Sequence, residues 1–123
     1  MRFDPLSNRV LGFALDVHRA YGPGLLERTY EELLAIELSL AEVPFRRQVG
    51  LDLLHRGVAV PNAYRLDMVV GEALVVKIKA VEAILPVHRA QLLTYMRLSG
   101  YRLGLLLNFN VVMLRHGIVR MVL

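Results

Sequence analysis

Two apolar segments, Tyr64–Val70 and Leu74–Lys79, stand only three residues apart, and each carries a charge that an ordinary buried strand would not accept. The residues between them, Gly71-Glu72-Ala73, read as a turn, so the pair predicts an antiparallel hairpin. Loop length then decides which side chains meet. Asp67 and Lys77 are ten positions apart, and a three-residue loop sets them opposite each other, whereas a two-residue turn would put Asp67 against Val76. Given the odd loop, Asp67, Lys77 and Lys79 share one face, because strand side chains alternate. An acid in a largely apolar strand costs free energy unless a cation or a metal pairs with it. Asp67 therefore needs a partner, and Lys77 and a divalent ion are the two candidates.

The remaining chain supplies layers to cover this hairpin. Asp4 followed by Pro5 opens a helix, with the carboxylate as cap, and Val10, Phe13, Ala14, Val17 and Tyr21 recur at helical spacing up to Gly22-Pro23-Gly24. A second helix begins near Leu25 and runs through Glu27, Tyr30, Leu33, Leu34, Glu37 and Leu38 to about Leu40. Gln48–Leu54 and Val58–Val60 read as strands around a turn at Arg56-Gly57. Pro86 starts a third helix, through His88, Gln91, Leu92, Tyr95 and Met96 to about Leu98, closed by Gly100. Tyr101–Asn108 and Ile118–Val122 are the last strands. No linker, repeat or low-complexity segment divides the order, which predicts one α/β (α+β) domain over residues 1–123, a mixed central sheet flanked by helices.

Composition narrows the setting. A chain of 123 residues, 55% hydrophobic with mean hydropathy +0.44, can bury one substantial core and has little room for a second. That apolar content is also compatible with a homo-oligomer that completes its core by pairing. The absence of cysteine excludes disulfides, thiolate zinc sites and cysteine nucleophiles. Met1-Arg2-Phe3-Asp4-Pro5 lacks the apolar run of a signal peptide, and stretches such as Leu103–Leu107 are far shorter than the roughly 20 residues of a membrane helix. The expectation is a cytoplasmic, soluble protein with no membrane partner. Its formal charge of +4 and isoelectric point near 9.9 permit a polyanion partner without requiring one.

Phosphodiester hydrolysis needs a divalent ion to polarise the phosphate and generate hydroxide, and hard ions take carboxylate, carbonyl and water oxygens. Glu27, Asp67 and the Ile78 carbonyl have the right chemistry to hold Mg²⁺ or Mn²⁺. Lys79 on the same edge suits a role in orienting water or offsetting charge on the phosphate, and Gln91 a hydrogen bond to substrate or water. Each residue also has a plainer reading: Glu27 as a dipole-favouring acid, Lys79 as an edge lysine, Asp67 as the partner of Lys77. His88 reads as a structural cap, and Tyr30 and Tyr95 as core residues with a bonded hydroxyl. His18, His55 and His116 lack metal-ligand spacing. Arg46, Arg47, Arg65, Arg89 and Arg97 are candidates for a phosphate-facing surface, with solubilising charge as the alternative. No P-loop glycine run is present.

Gly24-Leu25-Leu26-Glu27-Arg28-Thr29-Tyr30 matches a G-x-x-E-x-x-Y signature, and it is followed in order by Tyr64-Arg65-Leu66-Asp67, Ile78-Lys79-Ala80-Val81-Glu82 and Pro86–Tyr95. This ordered set, from about Val10 to Val122, resembles the GxxExxY family of the PD-(D/E)XK nuclease-like superfamily. The resemblance implies Glu27, Asp67, Lys79 and Gln91 at catalytic positions, a restriction-endonuclease-like core, and metal-dependent cleavage of nucleic acid. Lys77 departs from it, standing where the family's E-x-K motif has glutamate. A dication about 4 Å from a carboxylate gains several kcal/mol at an effective dielectric near 20, and a cation there reverses the sign. Glu72 and Glu82 are the acids available as substitutes. Leu85 is a second departure, because a threonine usually precedes that proline, and losing a hydroxyl cap costs about 1 kcal/mol. The two readings are a nuclease-like protein impaired at Lys77 and a catalytically inactive nucleic-acid-binding or protein-interaction module.

Overall fold

Residues 4–123 are described by a computed structural model; Met1, Arg2 and Phe3, the start of the N-terminal run read above, lie outside the described residues. Helix α1 spans Pro5–Tyr21, and Asp4 caps it by accepting the Ser7 amide at 2.9 Å and the Ser7 hydroxyl at 2.6 Å. Burial raises the Asp4 carboxyl, but the Ser7 bonds and the Arg120 charge outweigh it and hold the group below the usual carboxylate range. Helix α2 spans Glu27–Leu40. It starts two residues later than the periodicity predicts, because Leu26 as N-cap has no side-chain acceptor for the first amides. Tyr30 holds the connection instead, its hydroxyl donating to the Gly22 carbonyl and accepting from the Leu25 amide, while its ring stacks on Phe109 at 4.4 Å.

Five strands follow in spatial order, β1 (Phe45–His55), β2 (Val58–Val70), β3 (Leu74–Lys79), β4 (Leu103–Asn108) and β5 (Ile118–Val122). Only β3 and β4 pair in parallel, and helix α3 (Pro86–Ser99) makes the crossover between them. Helices α1 and α2 cover one face, burying Val10, Leu34 and Leu38 against Met68, Val76, Ile78 and Leu107. Helix α3 covers the other with Leu92 and Met96 over Leu66, Val75 and Leu106. A side chain on Gly104 would run into the Met96 sulfur, so α3 sits as close to β4 as glycine permits. This is the mixed sheet flanked by helices that the pattern predicts.

Three local features differ from the prediction. Val58–Val60 and Tyr64–Val70 form one strand rather than two, because the β1–β2 register shifts between Leu51 and Leu53 and absorbs the extra residues. Asp52 supports the irregularity by accepting the Asn62 amide at 2.8 Å. Strand β4 begins at Leu103 rather than Tyr101, and a single 3-10 turn over Leu114–Gly117 precedes β5. At Leu85 the missing hydroxyl cap is met from the opposite direction, with His88 Nδ1 accepting the Leu85 amide at 2.9 Å. His18 is buried and donates Nε2–H to the Val111 carbonyl at 2.7 Å, which is a packing role. Among the described residues no helix is long and apolar enough to cross a membrane.

Candidate functional site

The β2–β3 turn has three residues, and its register, Met68 to Val76, Val69 to Val75 and Val70 to Leu74, brings Asp67 level with Lys77 as the odd loop requires. Pairing stops there. Leu66 packs with Val69 on the α3 side, whereas Met68 packs on the α1/α2 side, so strict alternation slips at Asp67. Its carboxylate takes over the broken ladder, with Oδ2 accepting the Ile78 amide at 2.9 Å. Oδ1 lies 3.5 Å from the Lys77 ammonium, with both side chains largely buried, at 18% and 16% exposure.

Asp67 and Ile78 form the floor of a cleft of about 440 Å³ whose other walls are Glu27, Arg28, Glu31, Glu32, Arg47 and Gln48. Glu27 opens α2 where negative charge suits the helix dipole, and its Oε1 accepts the Ala80 amide at 3.2 Å, linking α2 to the end of β3. That end is held further by the Phe109 amide on the Lys79 carbonyl and by buried Asn108, whose side chain bonds both main-chain groups of Val81. Glu31, one turn after Glu27, is 5% exposed; it accepts from Arg47 Nη2 at 2.6 Å and Gln48 Nε2 at 2.7 Å. Arg47 also bonds Glu32, and the hydrogen bonds it donates to Glu32 and then Glu31 hold its guanidinium well above the usual range. The same contact holds the exposed Glu32 carboxyl below its ordinary value.

The structure thus gathers Glu27, Asp67 and Ile78 in one cleft, with Lys77 reaching it from beneath. Lys79 and Gln91 are not among its lining residues. Lys79 alternates with Ile78 and so points toward the α3 side, and Gln91 on α3 donates to the Tyr95 hydroxyl at 3.2 Å. Neither substitute acid reaches the cleft: Glu72 is held by Arg46 at 2.6 Å on the turn, and Glu82 is exposed in the loop before α3. Arg46 and Arg47 are likewise drawn out of the phosphate-facing set by their carboxylate partners. Arg28, Glu31, Glu32 and Gln48 are the cleft residues that the sequence does not single out. The four-residue step from Glu27 puts Glu31 on the same helix face, which is the one available signal.

These donors do not fit a hard dication. Both Asp67 oxygens are engaged, one by an amide and one by an ammonium, Glu31 is neutralised by Arg47, and one Glu27 oxygen holds the Ala80 amide. Among the described residues no group of three or more histidine, cysteine, aspartate or glutamate side chains is arranged to hold a metal ion.

A family model described as the PD-(D/E)XK nuclease superfamily matches residues 4–121. No curated protein and no solved structure matches the chain significantly.

Proposed function

Because this chain belongs to the PD-(D/E)XK nuclease superfamily, we propose that it acts on nucleic acid by binding it, and that the superfamily's metal-dependent phosphodiester hydrolysis is impaired in it at Lys77. Within the superfamily the G-x-x-E-x-x-Y segment Gly24–Tyr30 and the motifs after it favour the GxxExxY family. The observation that carries the reading is the 3.5 Å approach of the Lys77 ammonium to Asp67 Oδ1. A unit charge at about 4 Å is worth roughly 4 kcal/mol at an effective dielectric near 20, so the ammonium supplies the attraction a metal would otherwise give Asp67 and repels a dication. Glu27 and Asp67, the cleft members of the Glu27, Asp67, Lys79 and Gln91 set, then lack the acid that would complete it.

Isothermal titration of Mg²⁺ and Mn²⁺ into the protein and into Lys77→Glu tests this. The protein as it stands should show no uptake that depends on Asp67, and Lys77→Glu should gain it. Stoichiometric Asp67-dependent binding by the unaltered chain would instead show that the lysine yields to metal, and the impaired reading would be abandoned.

A further inference from the structure

Charge differs between the helices that cover the two faces of the sheet. The first part of the described chain, from Asp4 to Pro44, holds seven acids against three arginines, and both helices of the α1/α2 layer lie in it. Helix α3 carries two arginines, Arg89 and Arg97, and no aspartate or glutamate, whereas Arg120 on β5 faces Asp4 on the α1 side. The cleft follows the acidic side, with Glu27, Glu31, Glu32 and Asp67 against Arg28 and Arg47. A phosphate chain entering it meets net negative charge, and one of its two guanidiniums, that of Arg47, is already bonded to two carboxylates.

The α3 side has the opposite character. Arg89, Leu93 and Arg97 recur every four positions and so line one flank of the helix, and both arginines are exposed. Among the described residues neither forms an ion pair. Eight residues of α-helix span roughly 12 Å, a separation that lets two guanidiniums address different phosphates of one backbone. Lys79 points to this side of β3 as well, and the nearest acid in sequence is Glu82, in the loop before the helix.

Taking nucleic-acid binding as proposed above, we infer that the phosphate backbone docks on the acid-free flank of α3, through Arg89 and Arg97, and not in the cleft on the opposite face of the sheet. Exposed Leu85 just before the helix and Val87 and Leu98 on it make an anionic membrane the rival partner. They lie at its two ends rather than in a continuous stripe, which favours the polyanion.

Fluorescence anisotropy with single-stranded and duplex oligonucleotides of equal length, across a salt series, tests the placement. Arg89→Ala with Arg97→Ala should weaken binding at least tenfold and reduce the log–log salt slope by roughly 1.8 on duplex, from two lost phosphate contacts. Arg9→Ala with Arg19→Ala, the same charge change on α1, should leave both nearly unaltered. Both pairs are exposed, and thermal melting checks that each variant folds. Equal losses from the two pairs would reduce the effect to net charge and overturn the inference, as would full binding by the α3 variant. If the unaltered protein binds neither oligonucleotide, the nucleic-acid reading falls with it. Co-sedimentation with phosphatidylserine vesicles in that case would assign the flank to a membrane surface.

Discussion

Asp52 and Asp67 perform the same local task in very different surroundings. Each sits where a strand ladder is interrupted, and each puts a carboxylate oxygen on a main-chain amide that has lost its usual partner, Asn62 at 2.8 Å for one and Ile78 at 2.9 Å for the other. Asp52 does so on an exposed hairpin, and among the described residues it forms no ion pair. Asp67 does so in a largely buried place, with its second oxygen beside an ammonium, and it lines a cleft of acids and arginines. An aspartate bridging a broken ladder is therefore a common structural device. Burial and the adjacent cation turn one of the two into a candidate site.

The contrast can be broken at its stronger end first. Asp67→Ala leaves the Lys77 ammonium and the Ile78 amide with no acceptor in a largely buried place, and urea denaturation should show a loss of about 2–3 kcal/mol. A loss within error of zero would mean that Lys77 swings freely to solvent. Asp4 provides an intermediate case, an aspartate on a main-chain amide that is partly exposed and faces Arg120 at 3.7 Å. Asp4→Ala should cost about 1 kcal/mol at neutral pH. Its carboxyl is depressed in the folded protein, so this contribution is complete above the unfolded value near 4 and vanishes as pH falls through the lower folded value. Melting curves of the two proteins should accordingly converge in acid, and a gap that persists there would trace the effect to packing instead of charge. Asp52→Ala should be the mildest, a few tenths of a kcal/mol, because water replaces the exposed bond. A cost there matching that of Asp67 would remove the distinction between device and site.

How far each of these regions is legible in the sequence depends on how local its cause is. The meeting of Asp67 with Lys77 follows from counting loop residues, and the helix ends at Asp4-Pro5, Gly22 and Gly100 follow from capping chemistry. The continuity of β2 through Pro61 does not, because it rests on a bond from the Asn62 amide to Asp52, ten residues before it in sequence. The Glu31 network is hidden for the same reason: its partners Arg47 and Gln48 stand on an edge strand beyond a turn, and in the helical pattern only the four-residue step from Glu27 sets Glu31 apart from Glu32 and Glu37. The arginines show the converse. Five looked alike in sequence, and only the fold separates Arg46 and Arg47, held by carboxylates, from Arg65, Arg89 and Arg97.

The β1–β2 hairpin extends past the register shift with nearly every residue from Asp52 to Ala63 exposed, so beyond Leu51 it is a ribbon two strands wide with no layer over it. Such a ribbon has little of its own to hold it closed. Its amides at Leu53, Leu54 and Val60 should exchange with deuterated solvent through local opening, orders of magnitude faster than those of Val75 and Leu106 at the centre of the sheet. The protein thus carries two tiers of kinetic protection within a single sheet, and the boundary between them falls at Asp52.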